Sequence, residues 1–209
     1  MMKVQGKEKN YPFLILRDYT VGYMHRYPEI LQILDRHPGL IEEIWFGYSP
    51  RTMEDARKEV ESLKPFVQEC KKRNIRFAIQ HGITLGHGEI SGFSAVGESG
   101  KVQLAALPEN AWAQAQDGHR MWGVLCPRSS AAWKHIYDLT AYILTELDVE
   151  SFWIDDDFRL GFYKSPCFCT RCIKAFNKQF GHTFTRKKLI HHLYEKIDPV
   201  IRGEWSDFQ

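Results

Sequence analysis

No stretch of the 209 residues approaches the roughly 18 consecutive apolar residues of a membrane span, and Met1 to Asn10 are polar and Lys-rich. Neither membrane insertion nor a secretory leader is signalled. An excess of one charge is also missing: 28 Lys and Arg face 26 Asp and Glu, and a net charge of +2 provides no broad field for a phosphate backbone. Nucleic acid is therefore not an expected partner. Cysteine is scarce, with five residues, yet three of them crowd between Cys167 and Cys172. With 44% hydrophobic and 26% charged residues the chain reads as one globular domain, preceded by a polar extension over residues 1–10. The aromatic share is high at 13%, and several Trp fall in segments without helical or strand periodicity.

Four short unbroken apolar runs read as buried parallel strands: Phe13 to Leu16, Ile44 to Phe46, Ile75 to Ile79, and Phe152 to Ile154. Helical periodicity follows each. The clearest helix starts from a Thr52 N-cap and carries Met53, Ala56, Val60, Leu63, Val67 and Cys70 in steps of three and four, with a kink expected at Pro65. A weaker helix covers Pro28 to Asp35. Another, from about Ser130, aligns Ala132, Ile136, Leu139, Ile143 and Leu147. Such alternation predicts a parallel sheet covered by helices, either doubly wound or a barrel of eight units.

The third and fourth strands are separated by a long Gly-rich segment, residues 82–129, which follows the carboxyl end of the third strand, where active-site loops sit in both folds. Beyond Gly181 a helical pattern passes through Leu189 and Leu193. It restarts at an Asp198 N-cap with Pro199 and runs through Val200, Ile201, Trp205 and Phe208 to Gln209 without a stop signal. About four βα units in a chain of this length fall short of the roughly 250 residues of a closed barrel. The expectation is accordingly the amino-terminal half of a (β/α)8 TIM-barrel domain over residues 11–209.

The most specific motif is Cys167-Phe-Cys169-Thr-Arg-Cys172. Thiolates bind zinc tetrahedrally, and a Cys-x-Cys-x-x-Cys knuckle supplies three ligands from one turn. Cys126, in Leu125-Cys126-Pro127, is the candidate fourth, just before the third helix. Cys70 lies on the apolar stripe of its helix and reads as a core thiol.

The second motif is Trp153-Ile-Asp155-Asp156-Asp157-Phe-Arg159, three carboxylates where the fourth strand ends. Like charges this close resist simultaneous ionisation, which raises at least one pKa as a general acid requires. Capping of a following helix or pairing with Arg159 is the structural alternative. In the long segment, Trp112 and Trp122 offer flat faces for stacking on sugar rings, or pins for the loop itself. His81 ends the third strand as a substrate contact or a structural His, and His87 and His119 lie beyond it. His81 and His87 do not have a recognised metal-ligand spacing. Arg17 and Asp18 end the first strand and would reach the same rim, as substrate contacts or as an ion pair.

Together, Cys126-Pro127-Arg128-Ser129-Ser130, the acidic end of the fourth strand, and the Cys167–Cys172 knuckle followed by Phe176 resemble glycoside hydrolase family 42, the β-galactosidases of clan A. The resemblance implies a structural zinc on Cys126, Cys167, Cys169 and Cys172. It also implies an acid/base at Asp157, with Asp156 holding a sugar hydroxyl; Asp155, Arg159, His81, Trp112, Trp122 and Arg17 are the candidate substrate contacts by their own places in the chain. Two departures stand out: the family has Asn-Glu where this chain has Asp156-Asp157, and its nucleophile is a Glu on a seventh strand that the 209 residues do not contain. A retaining mechanism needs carboxyls about 5–5.5 Å apart on different strands, so the chain alone is expected to be inactive. The functional expectation is an enzyme cleaving O-glycosidic bonds in a carbohydrate, in the cytoplasm, with association through an exposed sheet edge. Two rivals are a zinc-stapled module binding carbohydrate or protein, and a metal-dependent carbohydrate deacetylase.

Overall fold

The computed structural model describes residues 15–18, 26–48, 52–81, 85, 107–149, 151–154 and 166–208. Strand β1 (Ile15–Asp18) leads to helix α1 (Tyr27–Arg36), β2 (Glu43–Tyr48), α2 (Met53–Lys72) and β3 (Arg76–His81). Then come β4 (Trp112–Gln114), β5 (Arg120–Leu125), α3 (Ser130–Leu147) and β6 (Ser151–Ile154). The chain ends in α4 (Thr170–Phe180), α5 (Arg186–Ile190), a π turn (His191–Glu195) and α6 (Pro199–Phe208).

Strands β1, β2, β3 and β6 pair in that order, all parallel, into a four-stranded sheet. Ile44, Phe46, Phe77 and Ile79 alternate onto one face, where they meet the stripe of α2: Ala56, Val60, Leu63, Val67 and Cys70. Thr52 caps α2 as expected, its Oγ1 accepting from the Asp55 amide at 3.1 Å, and the helix continues through Pro65. At the far end Lys71 donates to both the carbonyl and the carboxylate of Asp148, each at 2.7 Å, which ties the end of α2 to the left-handed turn closing α3.

The half-barrel expectation is overturned. The described strands form an open parallel sheet with β1 and β6 at its edges, and beside it stands a separate antiparallel ribbon of β4 and β5. No barrel closes among the described residues. Regular βα alternation is common to open and closed sheets; closure depends on strand tilt and stagger, which apolar periodicity does not encode.

The ribbon also corrects the reading of residues 82–129 as one long loop. Asp117-Gly118 forms its turn, with Gly118 at φ +95° and its amide donating to the Ala115 carbonyl at 3.0 Å. A side chain at this glycine would be strained by that φ and would meet the Arg186 guanidinium. Arg186 in turn donates to the Phe168 carbonyl at 2.9 Å and to Gln114 Oε1 at 2.5 Å, fastening α5 to the ribbon.

Two buried clusters result. One lies between the parallel sheet and α1, α2 and the carboxyl half of α3 through Leu139, Ile143 and Leu147. The other joins the ribbon, the amino half of α3 through Ala132 and Ile136, the cysteines, and the terminal helices. Its centre is aromatic: Phe168 stacks on Trp205 at 5.2 Å between centroids, and Phe176 meets Trp205 edge-on at 5.0 Å. The Asp198 cap holds, its Oδ1 accepting from the amides of Val200 at 3.2 Å and Ile201 at 3.3 Å. No helix among the described residues is long and apolar enough to cross a membrane.

Candidate metal centre

Cys126 leaves β5 in the turn that starts α3. Its amide donates to the Ala111 carbonyl at 2.8 Å and its carbonyl accepts from Ser129 at 3.0 Å, while the Ser129 hydroxyl caps α3 by accepting from Ala132 at 3.3 Å. The knuckle arrives from the other side. The Phe168 amide donates to the Gln114 carbonyl of β4 at 2.8 Å, which holds the knuckle to the ribbon. Cys169 is the N-cap of α4, its Sγ accepting from the Cys172 amide at 3.5 Å, so that the first turn of the helix brings Cys172 back beside Cys169.

The four sulfurs of Cys126, Cys167, Cys169 and Cys172 lie within 4.8 Å of one another, and all four residues are buried. Cys126 Sγ is 3.7 Å from both Cys169 Sγ and Cys172 Sγ. A disulfide has an S–S length of about 2.05 Å, far shorter than this. The edge of a tetrahedron built on Zn–S bonds of about 2.3 Å is about 3.8 Å. The donor set therefore fits a tetrahedral, thiophilic cation.

Without a cation the thiols share protons. Hydrogen bonding, first from Cys167, lowers Cys126 to about 7, and bonds from Cys126, Cys167 and Cys172 lower Cys169. Cys167 and Cys172 are pushed up, in both cases chiefly by their bonds to Cys126. Four adjacent thiolates repel one another strongly, and a divalent ion at their centre removes the conflict.

Arg171 completes the surroundings. Its Nη2 donates to the Asn110 carbonyl, and its Nε is buried with no hydrogen-bond partner among the described residues. Burial pulls the guanidinium pKa down, but the nearby thiol of Cys126 and the charges on Cys126, Cys169 and Cys172 outweigh it. Beside this group opens a cleft of about 370 Å³ lined by Glu109, Trp112, Gln114, Cys169, Thr170 and Arg171, among others.

The other expected site residues fare unevenly. Asp155, Asp156, Asp157 and Arg159 lie outside the described residues, as does His87. Arg17 is placed in β1 opposite Trp45, His81 closes β3 opposite Ile154, and Trp122 lies in β5; their side chains are outside the described set. Trp112 is corrected from an exposed stacking face to a core residue, 1% exposed, because β4 turns its indole under the ribbon into the cysteine cluster. His119 pairs with Asp117 at 2.6 Å on the ribbon turn. Cys70 is a core thiol, as expected, and burial pushes it up to about 12.

Two features went unread in the sequence. Arg171 is one. The other is an indole pair on the sheet face opposite the helices, where Trp45 and Trp153 lie 4.0 Å apart and Trp153 is 45% exposed. Strand register explains it: Trp45 pairs with Ala78 and Trp153 with Gln80, so the small, fully buried Ala78 leaves room for the rings to meet across β3. Strand alternation would have found the pair once the order of strands was known.

Compared with known proteins, the chain matches no protein-family description and no curated protein.

Proposed function

We propose that this chain is a zinc-binding protein in which Cys126, Cys167, Cys169 and Cys172 hold one structural Zn²⁺. The observation that carries this is four sulfurs within 4.8 Å of one another, with Cys126 at 3.7 Å from both Cys169 and Cys172, close to the edge of a zinc tetrathiolate tetrahedron. Four protein ligands fill the coordination shell and leave no position for water or substrate, so the metal is a staple rather than a reagent. It joins the end of β5 to the start of α4, elements far apart in the chain. Reduced thiols as ligands suit a reducing compartment such as the cytoplasm.

The test is metal content after purification and zinc loading: one Zn²⁺ per chain is expected, retained in Cys70→Ala and lost in Cys172→Ala. Equal zinc in Cys172→Ala and the parent would sink the assignment.

A second reading attaches chemistry to this scaffold: hydrolysis of an O-glycosidic bond, with Asp157 protonating the leaving oxygen and Asp156 on a sugar hydroxyl. The observation favouring it is the register of β3 and β6, in which His81 pairs with Ile154, so that Asp155-Asp156-Asp157 follow directly from the carboxyl edge of a parallel sheet. That edge is where open α/β sheets bind ligands. As the chain alone is expected to be inactive, the test is binding. Saturable binding of an aryl glycoside or oligosaccharide, weakened by Asp157→Ala, supports the reading, and no binding, or binding indifferent to that change, removes it.

A further inference from the structure

Tetrathiolate zinc carries a net charge of −2, and a buried charge of that size needs compensation from its surroundings. Arg171 is the cation placed to give it. It sits between the ligand Cys172 and the cap of α4, and its Nη2 is anchored on the Asn110 carbonyl, in the short turn that precedes β4. This anchor leaves Nε inside the protein, buried and without another partner among the described residues. An unsatisfied buried N–H is costly, and a thiolate sulfur beside it is the acceptor that would relieve the cost. Arg171 also lines the cleft from which Cys169 is reached, and Cys169, at 6% exposure, is the one ligand of the four that is not fully buried.

We propose that Arg171 is the outer-sphere cation of the metal centre: it donates to a ligand thiolate, offsets the charge of the loaded site, and latches the cleft through which the metal enters and leaves. This rests on the metal-binding reading and adds a residue that controls how tightly the site holds its ion. The anchor on Asn110 keeps the charge of Arg171 toward the sulfurs.

The experiment is metal release from the 209-residue chain into excess chromophoric chelator, first loaded with Zn²⁺ and then with Co²⁺. Variants are Arg171→Ala, Arg171→Gln and Arg171→Lys, with the exposed Lys174→Ala as a control one turn along α4. Loss of outer-shell partners typically costs about 10–100-fold in metal affinity, and that is the expected acceleration for Arg171→Ala. Arg171→Gln, a neutral donor, should fall between Arg171→Ala and Arg171→Lys, and Lys174→Ala should match the parent. The thiolate-to-Co²⁺ charge-transfer band should shift in Arg171→Ala and move back in Arg171→Lys, which a purely structural arginine would not produce.

Where Arg171→Ala does not fold, the order of the Gln and Lys variants against the parent decides the matter. Release from Arg171→Gln at the parent rate overturns the role of charge. An equal acceleration in Lys174→Ala overturns the specific role of Arg171. A parent chain that binds no metal overturns the reading beneath both, and is seen before any variant is made.

Discussion

The two cores of this chain solve the same problem differently. The core under the parallel sheet is built from length and alternation: α2 spans 20 residues and presents a continuous apolar stripe to strands that turn Ile44, Phe46, Phe77 and Ile79 toward it. The cysteine core shares the amino half of α3 and has no such elements of its own. Its sheet is a two-stranded ribbon and its helices run 11, 5 and 10 residues, lengths at which neither a hairpin nor a helix stands alone in water. Aromatic rings and a cluster of thiols replace the missing area. A cysteine is present in both cores, yet Cys70 is surrounded by hydrocarbon and is inert packing, whereas Cys126 has three other sulfurs beside it. What decides the role of a thiol here is its company, not its burial.

The comparison breaks most sharply on metal removal. Apparent binding energies of structural zinc are on the order of 10 kcal/mol, and that energy is folding energy. Chelation should therefore abolish hydrogen-exchange protection in α4 and α6 and leave α2 and β3 protected. Helix α3 serves both cores, and its protection should split: lost around Ala132 and Ile136, kept from Leu139 to Leu147. Uniform loss across all helices would show one cooperative unit instead of two.

Smaller in effect is a pair of truncations. Trp205→Ala opens the centre of the aromatic stack, at an expected cost of about 3–5 kcal/mol, and Leu63→Ala opens the sheet core at about 2–5 kcal/mol. The stabilities should fall by similar amounts, as read by denaturant titration. Metal release separates them: Trp205→Ala should speed it, because the packing that positions Phe168 beside the cysteines is gone, and Leu63→Ala should not.

The core of long elements was legible in the sequence and the other only through its cysteines. Periodicity located β2, β3, β6 and the stripe of α2, and cap chemistry placed Thr52 and Asp198, since these signals are local. The four thiols were legible because few other arrangements account for so close a spacing. The ribbon escaped notice although Asp117-Gly118 is a hairpin signal, because β4 has three residues and its neighbour β5 mixes Arg, Gly and Trp without alternation. Burial of Trp112 and the meeting of Trp45 with Trp153 depend on which strand lies beside which, and the barrel expectation failed for the same reason.

The mildest test sets the two cores against each other through pH. Glu59 on α2 has a carboxylate oxygen buried without a partner among the described residues, and desolvation, with Asp55 adding repulsion, raises its pKa to about 7 from 4.5. Below about pH 4.5 the carboxyl is protonated whether the chain is folded or not, and burial costs little. Between about 4.5 and 7 the unfolded chain ionises while the folded one keeps its proton, so stability falls as pH rises, by on the order of 1–3 kcal/mol in all. Glu59→Gln should remove that slope and be the more stable protein at pH 8, with the advantage gone near pH 4.5. The cysteine core responds in the opposite sense, because its ligands must be thiolates and acid releases the metal. On acidification from pH 8 to 5, hydrogen-exchange protection factors, taken relative to the intrinsic exchange rate at each pH, should rise in α2 and fall in α4. Parallel changes in the two helices would mean that α3 transmits stability from one core to the other and that the two cores unfold as a single unit.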